Sequence, residues 1–371
     1  MRKNLTIIGG GLASWIAASV FAQNSYFIDI FEGKNESFGS QQITPNGWKA
    51  LSNLIETKNI EKYFEPFSSI YIKKLNSNNN LEILYHYNLL EQGYKYGSIC
   101  RKSLINCFRD YTLKNNIIKI HNSKITNIIP NNNYNELIDD EGKTYKANFI
   151  FGSDGINGIS RKFVVGSNSN IKKKKIYRSV SFKGNTYSLS KTILQVLIQK
   201  NGYYVIYPTI INNKKGTNYI FVPHTNEFEP PSLSNKILNY LIPEDLKWQT
   251  TYSSFNDGEK NSIYKNGVFL FGDSAFAIPP HIAQAGNQIL EDGVYIKKLL
   301  NQNYDFYQMV NMFIKERYFK KDYLAQKSKI IGKILNAQKF TKYFRDYSLK
   351  LYGTDLVDKI LSPIWTTESN E

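Results

Sequence analysis

Leu5-Thr6-Ile7-Ile8-Gly9-Gly10-Gly11-Leu12-Ala13-Ser14 is the stretch on which the fold turns. Leu5 to Ile8 is a short apolar run cut off by three glycines, the pattern of a fully buried parallel strand. Leu12 to Gln23 follows, rich in Ala and free of Pro, and reads as a helix. Tyr26-Phe27-Ile28-Asp29-Ile30-Phe31 returns as a second strand. Strand, glycine turn, helix and strand within about 30 residues make a βαβ unit of a doubly wound sheet. In Gly9-x-Gly11-x-x-Ser14, Gly9 permits the tight turn and Gly11 lets a pyrophosphate approach the backbone. The start of the helix then offers free N–H groups and a favourable dipole to the anion. Ser14 stands where Gly or Ala is usual and is still small. Glu32, at the end of the second strand, is placed to bind a ribose hydroxyl. Together these residues predict dinucleotide binding.

The same stretch also has the outline of a secretory leader, with basic Met1-Arg2-Lys3 ahead of apolar Leu12 to Ala22. Gly9-Gly10-Gly11 interrupts that outline, and the βαβ unit accounts for it better. No stretch reaches the roughly 18 apolar residues of a spanning helix. The expected location is cytoplasmic, with a peripheral position at the inner membrane as the open alternative.

The chain has 371 residues, enough for about two domains. Its 47 Lys and Arg against 31 Asp and Glu leave a net charge of +16. That charge invites a nucleic-acid partner, but no basic run alternates with aromatics as a nucleic-acid groove would need. Nucleic acid is therefore not expected, and the oligomeric state is left unknown. Two cysteines, Cys100 and Cys107, exclude a disulfide scaffold. Their spacing reads as two packing thiols on one helix. The four histidines form no cluster at ligand spacing, so no metal site is expected.

Further along, short strands and Asn-rich turns are expected over 68–98, a helix over 101–114, and strands at 117–120, 124–129, 134–138 and 143–151. The last of these ends in Gly152-Ser153-Asp154-Gly155. Residues 175–264 read as β, with Tyr203 to Tyr207 the clearest strand. Residues 267–271 form a buried strand before Gly272-Asp273, and helices follow over 284–300 and 305–345. Asn78 to Asn80, Asn131 to Asn133 and Lys172 to Lys175 read as surface turns.

Gly272-Asp273-Ser274-Ala275-Phe276-Ala277-Ile278-Pro279-Pro280-His281-Ile282-Ala283-Gln284-Ala285-Gly286-Asn287 resembles the second FAD motif of the class A flavoprotein monooxygenases. These are the para-hydroxybenzoate, salicylate and hydroxynicotinate hydroxylases and their kin. Gly152-Ser153-Asp154-Gly155-Ile156-Asn157-Gly158-Ile159-Ser160-Arg161 resembles their internal Asp-Gly motif, with Gly158 where Ser is usual. Arg101-Lys102-Ser103-Leu104 resembles their Arg-x-x-Leu helix start. The segment around Pro45-Asn46 resembles their flavin-side loop, and Tyr207-Pro208 the end of a strand in their substrate domain. The sequence departs from the pattern at Phe276, where His is usual, and at Gln284-Ala285, where Gln-Gly is usual and Gly286 follows one place later.

The resemblance implies an α/β fold: a Rossmann-like FAD-binding domain (1–67, 99–165, 265–300), an interleaved β-sheet substrate domain (68–98, 166–264) and a C-terminal helical segment (301–371). It implies FAD as cofactor, held by Gly9, Gly11, Ser14, Glu32, Arg101, Asp154, Gly272, Asp273, Pro280, Gln284, Gly286 and Asn287. NAD(P)H is implied as co-substrate; the chain has no second Gly-rich βαβ unit, and the family binds the nicotinamide transiently. The implied reaction is hydroxylation of a phenolic aromatic by O2 through a flavin hydroperoxide. Three candidate catalytic residues are read from position. Gln42 would hydrogen-bond the substrate, Tyr207 would face its ring, and His281 would help ionise a phenol near neutral pH. Each has a plainer alternative as a surface or core residue.

A flavin halogenase of the same fold carries Trp-x-Trp-x-Ile-Pro, but Trp15, Trp48, Trp248 and Trp365 are far apart. A flavin-dependent reductase that never uses O2 stays open, as does a membrane-associated hydroxylase of a quinone precursor. From Lys297 to Lys350 thirteen Lys or Arg face four Asp or Glu, interleaved with Phe313, Tyr318, Phe319, Tyr323, Ile330, Ile331, Ile334 and Leu335. That segment is either an amphipathic cover for the FAD domain or a contact with an anionic membrane.

Overall fold

The computed structural model describes residues 3–33, 39–76, 78, 80–115, 117–166, 171–182, 192–230, 241–256 and 262–366. The glycine turn lies in a six-stranded sheet ordered Tyr264–Lys265, Val268–Leu270, Ile150–Gly152, Asn4–Ile8, Phe27–Phe31, Ile118–His121. Every neighbouring pair is parallel except the first. The central strands are buried runs, Leu5 to Ile8, Ile150–Gly152 and Val268–Leu270, because both faces of the sheet are covered there. Helix α1 (Leu12–Gln23) is buried along nearly its whole length, from Ala13 to Ala22. Helices α2 (Pro45–Leu54), α3 (Arg101–Thr112) and α4 (Ala285–Asn301) complete this layer.

A second sheet of seven strands runs Gln249–Asn256, Ile171–Ser181, Lys214–Pro223, Gly202–Ile211, Ile193–Gln199, Ser69–Leu75, Leu81–Asn88. One of its faces carries Tyr177, Leu197, Tyr204 and Phe221 against Leu241 and Ile242. The other carries Tyr203, Tyr207 and Leu194 against Ile278, Ile282 and the C-terminal helices. Those helices are α5 (Phe306–Leu335), started by a reciprocal capping box between Asp305 and Gln308, and α6 (Lys339–Ile360).

Several local expectations are corrected. Cys100 ends a strand, Gly97–Cys100, and only Cys107 lies in α3. Lys172 to Lys175 is strand rather than turn, paired with Tyr252 to Phe255. Pro45-Asn46 opens α2 instead of lying in a loop, which suits Pro at the first helical position. The helical stretch expected over 305–345 is two helices separated at 336–338, and Lys339, which opens the second, has φ +50°. Tyr207-Pro208 lies inside its strand, which runs on to Ile211. Proline is tolerated there because its carbonyl, and so its missing N–H, faces away from the paired strand Lys214–Pro223: the carbonyl accepts from Ser98 Oγ at 2.6 Å, on the side where pairing with Ile193–Gln199 has stopped at Ile206. Tyr318 lies in α5, but its side chain is outside the described residues.

Candidate active site

A cavity of about 1030 Å³ opens where the carboxyl ends of the parallel strands meet the seven-stranded sheet. This is the edge at which open α/β sheets bind ligands. Gly9, Gly11, Arg101, Asp154, Asp273, Pro280 and Gly286 all line it, although they come from distant parts of the chain.

The glycines are there for close approach. Gly9 has φ +127°, and a Cβ on it would lie 2.5 Å from the carbonyl oxygen of Ser153. Gly11 is the N-cap residue of α1, and no side chain caps that end. Gln284 precedes α4 in the same uncapped way, and Gly286 falls in the first turn. Both helix starts line the cavity, each with uncapped first-turn N–H groups. Among the described residues, two side chains on the wall lack partners for buried nitrogens: Arg101 at Nε and Gln41 at Nε2. Burial raises the carboxyl of Asp273 above its ordinary value against the nearby charges of Arg101 and Lys321. Burial does the same at Asp154, opposed by the backbone N–H of Ser160 at 3.1 Å. Unpaired donors, acids held short of full solvation and bare helix starts fit a ligand that has both phosphates and hydroxyls.

The remaining predicted residues stand behind this wall. The Ser14 hydroxyl meets that of Ser153 at 2.8 Å and ties the glycine turn to the neighbouring strand end. Glu32 accepts a hydrogen bond from Arg109 Nη1 at 2.6 Å, while its neighbours Phe31 and Gly33 line the cavity. Gly272 has φ +64° and packs against Ala13, 2.7 Å from where its Cβ would stand. Gln284 receives a 3.0 Å bond from Asn46 Nδ2 and donates to the Thr44 hydroxyl at 3.1 Å. Asn287 donates to the carbonyls of Gln42 and Ala283 and accepts from the N–H of Thr44. These last two brace the start of α2 against α4.

Of the three catalytic candidates, none lines the cavity. Tyr207 is buried and donates to the carbonyl of Ser40 at 3.2 Å. Gln42 accepts from the hydroxyl of Tyr96. His281 meets the Tyr203 hydroxyl through Nδ1 at 2.7 Å and packs on Gly332 of α5, where a Cβ would come within 2.6 Å of its ring.

The overall fold is shared with solved flavoenzymes. No family model matches the chain. It is 23% identical over 348 residues to the FAD-dependent monooxygenase ptmM of Penicillium ochrochloron, spanning 81% of this chain and 79% of that protein. It is 19% identical over 325 residues to the FAD-dependent monooxygenase adrH of Penicillium rubens, spanning 81% and 68%. The structure of Klebsiella pneumoniae HpxO complexed with FAD and uric acid superposes with a TM-score of 0.79 at 15% identity, over 98% of this chain and 96% of that one. A salicylate hydroxylase substrate complex gives 0.75 at 16% identity, over 98% and 95%. The chain has the class A FAD-dependent hydroxylase fold.

Within the hydroxylase fold, the departures from the usual motif are absorbed locally. Phe276 packs under the Lys321 ammonium, 5.6 Å from its ring centroid. Gly286, one place late, still lines the cavity, with Gln41 3.1 Å from where a Cβ would stand. Wall residues missed in the sequence include Gln41, Arg178 and the strand from Thr251 to Ser254. In the strand Ser40–Ile43 successive side chains point to opposite faces, so Gln41 meets this cavity while Gln42 meets Tyr96. Arg178 is enclosed, which together with the charge of Arg101 lowers its guanidinium to about 10.

The seat of His281 has a measurable consequence. Burial, aided by the charge of Lys174, pulls the imidazole from 6.5 to about 4. Between those values the unfolded chain binds more protons than the folded one. Stability is therefore full above pH 6.5 and is lost as pH falls toward 4. The shift corresponds to about 3 kcal/mol. Urea unfolding against pH should show this loss in the wild type, and His281→Gln should flatten it. An equal slope in both would place the titration elsewhere.

Proposed function

We propose that the protein is an FAD-dependent monooxygenase that hydroxylates a phenolic aromatic using O2 and NAD(P)H. One observation carries this reading: two uncapped helix starts, Arg101, Asp154 and Asp273 converge on a single cavity from separate segments of the chain. Gly9 to Gly11 and the start of α1 would hold a pyrophosphate, with Arg101 adding positive charge. Asp273 and Asp154 would take ribityl or ribose hydroxyls. The start of α4 would favour negative charge on the nearby ring system. Bound FAD would supply the redox chemistry and the activation of oxygen.

The chain's own task is to shape the site and exclude water. Phe67, Tyr96 and Tyr207 form a buried aromatic group next to the strand that carries Gln41 and Gln42. Tyr207 keeps its proton, because burial raises its hydroxyl despite the charges of Arg178 and Arg101. Gln42 and Tyr207 would fix the wall against which the substrate ring rests. His281, neutral at pH 7, would act through Tyr203 as a positioning residue next to Pro280. NAD(P)H would bind transiently, as the resemblance implies. A peripheral membrane position would suit a lipid-soluble phenol.

The test is to purify the protein, record its visible spectrum, and screen phenols for stimulated NAD(P)H oxidation with product analysis. A yellow protein whose product carries an oxygen atom from O2 is the expected result. A colourless chain that cannot be reconstituted with FAD would overturn the reading. NAD(P)H oxidation that delivers electrons to an acceptor without oxygen insertion would favour the reductase alternative.

A further inference from the structure

Helix α6 carries an aromatic face that nothing among the described residues covers. Phe340, Phe344, Tyr347 and Leu351 recur at i, i+4, i+7 and i+11, the spacing of one helical stripe. They are 82%, 74%, 63% and 56% exposed. Tyr343 extends the stripe on one side at 64% exposed. The opposite side of the helix is anchored. Leu349 and Ile360 are buried, and Gly353 sits so close to Tyr85 that a Cβ would fall 2.1 Å from its ring. The stripe therefore faces outward because the helix is held from behind. Exposed apolar surface of this kind marks an interaction site.

Charge decides the kind of partner. Lys339 flanks Tyr343 at i−4 and Lys342 lies 5.0 Å from its ring centroid, while Lys350, at i+7, is held by Glu82. Between Asp322 and Asp355 the chain has seven Lys or Arg and a single acid, Asp346. That acid is buried and spent on Arg345 at 2.7 Å and Lys74 at 2.7 Å. A second copy of this face would bring like charges together, which disfavours self-association. A bilayer with anionic headgroups matches both halves of the pattern, since Phe and Tyr rings settle at the headgroup level while Lys stems reach the phosphates.

We propose that the outer face of α6 docks the protein peripherally on an anionic membrane, with Phe340 and Phe344 as its inserted anchors. No helix among the described residues is long and apolar enough to cross a membrane, so the contact lies in the interfacial plane. The proposal does not rest on the hydroxylase reading, because binding to lipid is measured without turnover.

The experiment is flotation of the full chain with vesicles of phosphatidylcholine containing about 30 mol% phosphatidylglycerol, beside pure phosphatidylcholine. The expected result is binding to the anionic vesicles alone, weakened by about 0.5 M salt. Phe340→Ser with Phe344→Ser should cut the bound fraction about tenfold, and Lys339→Glu with Lys342→Glu should cut it too. Circular dichroism would check that these exposed substitutions leave the fold intact. A wild-type chain that stays with the unbound fraction at low salt would overturn the proposal. Membrane binding unchanged by the Phe pair would do the same, as would a dimer in size exclusion that this pair dissociates.

Discussion

Gly9→Ala is expected to leave a chain that folds less stably and retains no flavin. Two separate penalties meet at this position. With φ +127° the backbone is in a region that L residues avoid, and the added methyl would lie 2.5 Å from the Ser153 carbonyl oxygen, 2.7 Å from its carbon and 2.9 Å from Ser14 Oγ. The first two of these are backbone atoms. Ser153 is fixed by its own N–H to the Ile8 carbonyl at 2.8 Å, so it cannot yield without disturbing the pairing of two central strands. Strain of this kind costs about 1–3 kcal/mol before any clash is counted. Gly155→Ala provides the control. Gly155 lines the same cavity and has φ +85°, yet nothing stands within 4 Å of its would-be Cβ. It should lose only the backbone component of stability, about 1 kcal/mol. Denaturant unfolding measures the stabilities, and the visible absorbance of purified Gly9→Ala measures its flavin. Equal stabilities for the two variants would show that the contact with Ser153 carries no weight.

That contact also shows what was legible in the sequence. The βαβ unit was readable because a buried parallel strand, a glycine turn and an alanine-rich helix each leave a local signature. The cavity-lining set Gly9, Gly11, Arg101, Asp154, Asp273, Pro280 and Gly286 followed from motifs that sit at strand ends and helix starts. Ser14, Gln284 and Asn287 belong to the same motifs, but their side chains turn back into the protein. A motif specifies the backbone path and does not say which way each side chain points. The seven-stranded sheet was harder to read. Arg178 lies on the same face as Tyr207, because it pairs with Ile220 while Asn218, two residues earlier, pairs with Tyr207. Nothing local to Ile171–Ser181 announces that register, which is set by long-range pairing. His281 was judged by its place beside the Pro loop, and its partners Tyr203 and Gly332 come from elements far away in the chain.

Asp292→Ala is expected to be the most destabilising single substitution between α4 and α5. Asp292 is 1% exposed and accepts from Arg317 Nε at 2.7 Å and from Lys321 Nζ at 2.5 Å. Burial works against the charge of Arg317, and Asp292 and Glu291 nonetheless hold its guanidinium above the ordinary value. Lys321 is enclosed more fully; there burial wins and lowers the ammonium despite Asp292. Removing the aspartate would leave two enclosed cations facing each other. Arg317 keeps Glu291 at 3.1 Å and Gln288 at 3.1 Å, but Lys321 loses its bond to the Asp292 carboxylate. Breaking a buried pair in this way costs about 3–5 kcal/mol. The loss should also reach the cavity. Glu291 holds Asn46 at 2.6 Å at the start of α2, and Lys321 is one of the two charges that oppose the raised carboxyl of Asp273. Asp292→Asn, which keeps the volume and one acceptor, should recover part of the stability. Lys321→Met in the Asp292→Ala background should recover more, by removing the stranded ammonium. Urea midpoints for the set decide the matter. A double variant no more stable than Asp292→Ala would mean that the cost lies in lost packing, and that Lys321 finds water or another acceptor once its partner is gone.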